Sequence, residues 1–368
     1  MKVILRLSKA RLGSDKALKD VRDNLSAIAI HENTLWLGGD EGTAIHRMTR
    51  DAAGNFANHT PIDVKSLLKL PVQDSKSEID IEGLDVNGGY LWLVGSHSLK
   101  REKPKEDKTA EENMQRLAEV KLDGNRYTLG RLPLTQGDDP EPRASMPDGR
   151  TAARLKGDTN GNTLTRALAG DPILGRFVGD ESSGIPSKDN GLDIEGLAVS
   201  GNRVFVGLRG PVLRGWAVIL ELKVEETSSG FLKLEAPGSS GVLYRKHFLQ
   251  LDGLGIRDLV IHKGDLIILA GPTMSLDGPT YLYRWKNGAK QISDTLTWRD
   301  ELKRIVTIPS GNPTDRTEGK DHAEGIALLN DPLSVMVCYD SPSDDRIDGP
   351  DRDGIKADIF ELTGGADE

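Results

Sequence analysis

One phrase recurs along the chain and limits what it can fold into. It reads Asp80-Ile-Glu-Gly-Leu-Asp-Val, Asp193-Ile-Glu-Gly-Leu-Ala-Val and His322-Ala-Glu-Gly-Ile-Ala-Leu, with two looser copies, Asn24-Leu-Ser-Ala-Ile-Ala-Ile and Gly255-Ile-Arg-Asp-Leu-Val-Ile. Each copy is followed, after a short turn, by a second apolar run: Leu35-Trp-Leu-Gly-Gly, Leu91-Trp-Leu-Val-Gly, Val204-Phe-Val-Gly-Leu, Ile267-Ile-Leu-Ala-Gly and Val335-Met-Val-Cys-Tyr. Self-similarity of this kind marks a supersecondary unit that buries its apolar face only against its neighbours. Turn residues such as Asn87-Gly88-Gly89 and Lys263-Gly264-Asp265 make each pair a buried β-hairpin.

A third run follows in each unit, at Ala44 to Thr49, Leu117 to Leu122, Ala217 to Val224, Thr280 to Trp285 and Ala357 to Leu362. Four units add a fourth, more polar run, at Phe56 to Val64, Tyr127 to Leu134, Val242 to Leu251 and Arg304 to Pro309. The last unit lacks one, and Val3 to Leu7, ahead of the first copy, is available to fill the gap. The pattern predicts an all-β fold: a five-bladed β-propeller spanning residues 1–368 as one domain, closed by pairing the N-terminal strand with the last blade. The interval from Glu82 to Glu195 is about double the others, and residues 138–190 carry several prolines and apolar residues at helical spacing. They read as a part-helical insertion, with a sixth blade as the alternative. The glycine after the acid in three copies (Gly83, Gly196, Gly325) predicts a close approach of neighbouring backbone.

Composition narrows the function. Of 368 residues, 37% are hydrophobic and 29% charged, a globular balance rather than a disordered one. No apolar run approaches the roughly 18 residues that a spanning helix needs, so no membrane role is expected. The net charge of -9 argues against nucleic acid as a partner, because phosphate binding needs a basic footprint. Arg6 and Lys9 interrupt the N-terminal apolar stretch before it reaches signal-peptide length, and the single cysteine, Cys338, forbids an internal disulfide. Both features point to the cytoplasm. The Asp-rich stretch Asp344 to Asp353 is out of register with a calcium-binding helix-loop-helix, since Gly349 would take the first ligand position.

If the first strand of each blade lines the axis, two rings of side chains converge at one mouth of the channel. The first ring is Ser26, Glu82, Glu195, Arg257 and Glu324, preceded by Asn24, Asp80, Asp193 and His322. The second, from the ends of the returning strands, is Asp40 and Glu41, Ser96 and His97, Arg209, Thr273 and Asp340, with Lys188 nearby. Glutamates crowded on one axis raise each other's pKa values and call for a positive partner. Glu82, Glu195 and Glu324 are therefore the expected metal ligands, and their oxygen donors suit Ca²⁺ or Mg²⁺. The leading expectation is a site for a charged small molecule built from Glu82, Glu195, Glu324, Asp80, Asp193, Lys188 and Asp340. The competing ones are metal-assisted hydrolysis of a phosphoester or lactone, with His97 or His322 as general base and Arg209 or Arg257 holding the anion, and a protein-interaction platform using residues 100–116 and 138–190. Against all three stands a purely structural role, in which the glutamates accept backbone N–H bonds from the next blade.

The phrases Asp80-Ile-Glu-Gly-Leu, Gly95-Ser-His-Ser, Pro186-Ser-Lys-Asp-Asn-Gly-Leu-Asp-Ile-Glu-Gly-Leu-Ala-Val and Ala323-Glu-Gly-Ile resemble a bacterial family known as domain of unknown function 3616, over about Asn24 to Leu362. The E-G-L phrase is also similar to that of phytase-like propellers. The resemblance implies a propeller, brings no reaction with it, and singles out His97 through the Gly95-Ser-His-Ser phrase. Ser26 and Arg257 depart from the acid slot of the repeat.

Overall fold

Each copy of the repeated phrase forms a strand that hydrogen-bonds antiparallel to the run after it. The computed structural model describes residues 1–362 apart from 75, 228–229, 275–276, 310–319 and 331–332. The first meander runs Leu25–His31, Thr34–Gly39, Ala44–Arg50 and Phe56–Asp63. The second runs Ile81–Asn87, Tyr90–Gly95, Leu129–Pro133 and Ala153–Leu155. The third runs Asp193–Ser200, Arg203–Leu213 and Trp216–Glu226, whose far edge is shared end to end by Tyr244–Gln250 and Phe231–Glu235. The fourth is Gly255–His262, Asp265–Gly271, Thr280–Trp285 and Leu302–Ile308. The fifth is His322–Asn330, Leu333–Asp340 and Gly354–Glu361, completed by Lys2–Arg6 from the opposite end of the chain.

The innermost strand of each meander packs against the innermost strand of the next, and the fifth packs against the first. The result is mostly β, with curled sheets in a propeller-like arrangement. Leu, Ile and Val from the inner strands fill the space between neighbouring sheets, as in the cluster of Val94, Leu197, Val206 and, from the third strand, Leu220. Outer strands meet only briefly: Leu5 bridges Phe56, and Arg154 and Leu155 bridge Phe231 and Leu232, all in parallel. None of the described helices is long and apolar enough to cross a membrane.

Two sequence expectations change here. Leu117 to Leu122 does not supply the third strand of the second meander, because a capping box between Thr109 and Glu112 starts a helix at Ala110–Ala118. The strand at Leu129–Pro133, read as fourth, is the third. The fourth lies inside the stretch 138–190 taken as an insertion: Ala153–Leu155 is three residues long, too short to show a two-residue period. The rest of that stretch holds a two-residue hairpin and a helix, Thr163–Ala169, and no further meander occurs there among the described residues.

The ladder slips once in every innermost strand. The slip skips Ser26, Glu82, Glu195, Arg257 and Glu324, so the same slot of each repeat is the extra residue of a β-bulge. The residue after it sits tight against the next sheet. A Cβ on Gly83 would lie 2.6 Å from Cβ of Leu197, and one on Gly325 would lie 3.0 Å from Cγ2 and 3.2 Å from the backbone nitrogen of Ile28. In the fourth meander Asp258 stands at this place. Its carboxylate accepts the Ile326 N–H at 2.7 Å from the fifth meander and the Leu259 N–H at 2.7 Å. Asp85 plays the same part between the second and third, accepting from Val199 at 2.6 Å and Val86 at 2.7 Å.

These two aspartates pin neighbouring inner strands, which gives a stability prediction. Asp258→Ala leaves the Ile326 and Leu259 N–H groups unpaired at about 1–3 kcal/mol each, so urea unfolding is expected to show a loss of about 2–6 kcal/mol. A loss below about 1 kcal/mol would mean that packing alone holds the fourth and fifth meanders together.

Candidate functional site at the channel mouth

A bulge turns its extra residue out of the pairing plane, and five bulges around one axis bring their side chains together. Glu195, 2% exposed, is the hub. Its Oε1 lies 2.7 Å from Arg209 Nη1, and its Oε2 lies 2.8 Å from Arg257 Nη1. The same Arg257 nitrogen reaches Glu324 Oε2 at 2.8 Å, while the other Nη of Arg209 pairs with Asp193. Arg209 arrives because the returning strand of the third meander also slips, between the pairs of Asp193 and Ile194. Burial would by itself lower the pKa of each guanidinium, but the surrounding carboxylates outweigh it and raise both. Ser26 adds no charge, and its hydroxyl donates to the Ile81 carbonyl, tying the first inner strand to the second.

The other half of the mouth is short of positive charge. Asp80 pairs with Arg126 Nη1 at 2.9 Å. Asp40, Asp80 and Glu82 bring carboxylate oxygens within 4.8 Å of one another. Glu82 is 9% exposed, and neither its carboxylate nor that of Asp40 has a hydrogen-bonding or ion-pair partner among the described residues. Burial pushes the Asp40 carboxyl well up, and Asp80, Asp340 and Glu324 push it further against a small opposing pull from Lys188. Glu82 is raised in the same way, by burial first and then by Asp40 and Asp80. Asp193 and Glu324 are each pushed up to about 7 by burial, with Arg209 and Arg257 respectively pulling the other way. At the rim, Nδ1 of His322 lies 3.8 Å from Asp340, and His322, Glu324 and Asp340 form a second group whose ligand atoms come within 4.8 Å.

Of the residues singled out in the sequence, Glu82, Glu195, Glu324, Asp80, Asp193, Asp340, Arg209, Arg257 and His322 meet at this mouth. Lys188 is exposed on the turn Ser187–Asp189 and acts only through its charge. His97 does not join them. It is 2% exposed, Nδ1–H donates to the Gly95 carbonyl at 2.7 Å, and Nε2 accepts from Asn162 at 2.7 Å. Burial lowers its pKa to about 4, and with its lone pair occupied it is not a free base. The strap from Gly95 to Leu99 alternates: Ser96 and Ser98 hydrogen-bond to each other and, through Ser98, to Arg126, whereas His97 and Leu99 line a pocket on the other side. Arg126 was missed because it sits on the single turn Gly124–Tyr127, outside the repeat. The glutamates are not the backbone pins either, a role that falls to Asp85 and Asp258.

Among solved structures, the glutaminyl cyclase of Myxococcus xanthus shares 9% identity with a TM-score of 0.40, covering 97% of this chain and 94% of that one. The PQQ-bound aldose sugar dehydrogenase of Streptomyces coelicolor shares 12% with a TM-score of 0.35, covering 98% and 99%. No curated protein matches the sequence. The family described as protein of unknown function (DUF3616) matches residues 24–358, nearly the whole length, and the chain belongs to that family.

Proposed function

We propose that the five meanders are the blades of one closed propeller, and that the mouth of its channel binds a divalent cation on Asp40, Asp80 and Glu82 and, through it, a charged small molecule. One observation carries the reading. Asp80, Asp193, Glu195 and Glu324 each pair with an arginine and Asp340 lies beside His322, whereas Asp40 and Glu82 face each other with no ion-pair partner among the described residues and feel Lys188, Arg126 and Arg209 only at longer range. Buried like charges are costly unless neutralised, either by protons or by a cation. An all-oxygen donor set favours a hard ion, Ca²⁺ or Mg²⁺. An anionic ligand would have a second anchor across the mouth in Arg257, whose two carboxylate partners both meet Nη1 and leave Nη2 without one among the described residues.

Thermal unfolding tests the cation. Ca²⁺ or Mg²⁺ at about 100 times its dissociation constant stabilises the protein by about 2.7 kcal/mol, and a chelator reverses the gain. Glu82→Gln keeps the shape and removes a crowded charge, so it is expected to abolish the response while leaving the metal-free protein at least as stable as the wild type. A wild type whose melting temperature ignores both ions would remove the cation from the site.

The pH dependence follows from the raised carboxyls. Asp193 and Glu324 titrate near 7 when folded, against about 4 when unfolded, so above pH 4 the folded state holds more protons. Stability therefore falls as pH rises, by up to about 1.4 kcal/mol per pH unit for each carboxyl still protonated. His46, His59 and His97 work oppositely: burial lowers them to about 3, about 4 and about 4, so their effect is confined below about pH 6.5. Metal-free protein is expected to lose melting temperature between about pH 6.5 and 8, and saturating cation to flatten the loss. A rising or level metal-free curve would contradict the crowding of the mouth.

A further inference from the structure

Behind the mouth, on the far side of the Gly95–Leu99 strap, lies a cavity of about 220 Å³ with no part in the cation site. Its construction depends on Asn162, the residue capping helix Thr163–Ala169. The side-chain oxygen accepts from the Leu164 and Thr165 N–H groups at 2.9 and 3.1 Å, and the amide nitrogen donates to His97 Nε2 and to the Tyr127 carbonyl, each at 2.7 Å. All four hydrogen bonds of a buried amide are thus made, and they fix the helix against the strap and the turn Gly124–Tyr127. The walls are Leu99, Phe177, Val178, Ile185 and Leu192.

One polar group on this cavity makes no hydrogen bond to another described residue. Tyr127 is 5% exposed, its ring stands edge-on to His97, and its hydroxyl has no hydrogen-bond partner among the described residues. Burial pushes the phenol up to about 12, so it remains a donor. The hydroxyl oxygen itself is accessible from the cavity, so it can donate to a ligand oxygen placed there without breaking any bond within the protein. The charged groups at the cavity are already engaged: Arg166 pairs with Asp158 at 2.6 Å, and the Asp180 carboxylate accepts from the backbone and hydroxyls of Ser182 and Ser183. The cavity therefore calls for no charge. Its volume lies below the roughly 300–1,000 Å³ of drug-sized sites, which limits an occupant to about one ring.

We infer that this cavity is a second ligand site, separate from the channel mouth, for a small neutral ring compound whose carbonyl or hydroxyl oxygen accepts a hydrogen bond from Tyr127. Acetophenone, which carries such an oxygen, and ethylbenzene, which does not, are the probes, titrated by calorimetry or ligand-observed NMR. Wild type is expected to bind acetophenone more tightly than ethylbenzene. Tyr127→Phe, which breaks no hydrogen bond of the protein, should weaken acetophenone by up to about tenfold and leave ethylbenzene unchanged. Ala169→Phe, an exposed position on the cavity lining, should block both. Glu82→Gln should alter neither, which separates failure here from failure of the cation reading. Absence of acetophenone binding to folded wild type, equal affinity in Tyr127→Phe, or binding that persists in Ala169→Phe would each overturn the assignment.

Discussion

The register slip that leaves Ser26, Glu82, Glu195, Arg257 and Glu324 unpaired does two jobs with one residue. It lets each innermost strand bend as it enters the crowded centre, and it turns one side chain per repeat toward that centre. The next residue must then be small or must hydrogen-bond across the gap, because the neighbouring strand is already there. Gly83 and Gly325 take the first solution and Asp258 the second, using its carboxylate to capture a backbone N–H of the adjacent sheet. Closure and site are consequently one feature. A substitution that straightened a bulge would withdraw a mouth residue and loosen the contact between sheets together.

Ring closure relies on a second device, at the periphery. The strand Lys2–Arg6 pairs along its whole length with Gly354–Glu361, and Arg6 bonds Asp348 and Asp353 at 2.9 Å each. Just beyond the strand, the Ser8 N–H donates to Nδ1 of His59, whose Nε2 lies 2.9 Å from Nδ1 of His46. Because a backbone N–H can only donate, His59 carries its proton on Nε2 and donates in turn to His46. Two buried neutral imidazoles thus connect the last meander's borrowed strand to the first meander. Val3, Leu5 and Leu7 pack with Phe56 and Ile355 beneath them, so apolar burial supplies the bulk of the closure and the polar chain fixes its register.

What the sequence made legible follows from the physics of each element. The inner two strands of every meander are buried on both faces, so their apolar runs are long and their turns are marked by Gly and Asn; the repeat could be seen and the mouth residues Glu82, Glu195 and Glu324 placed together. Outer strands are short, and their pattern is weak: Phe231–Glu235 is partly exposed at both ends, and Ala153–Leu155, though buried, is too brief to separate a strand period from a helical one. His97 was assigned to the mouth by counting from the strand end, yet an alternation of one residue places Ser96 and Ser98 on the channel side and His97 on the other. A slip of one position reverses a side chain's face, and spacing alone does not resolve it. Arg126 lies outside the repeat altogether, on a turn that only the folded chain brings to Asp80.

The two departures from the acid slot give the mouth its direction. Five glutamates around one axis would carry five mutually repelling buried charges, and each would be raised toward protonation. Replacing one by Ser26 and another by Arg257 removes charge unevenly. Arg257 and Arg209 gather Glu195, Glu324 and Asp193 on the side of the third to fifth meanders, while on the side of the first and second, among the described residues, Asp80 alone of Asp40, Asp80 and Glu82 has an ion pair, to Arg126. The site is therefore a dipole laid across the channel rather than a symmetric cage. A cation drawn to the negative half would present its open coordination positions toward Arg257, so a ligand bound there would be oriented by charge as well as by shape. That orientation comes from two substitutions in an otherwise regular repeat, which makes Ser26 and Arg257 as much a part of the site's chemistry as the acids they replace.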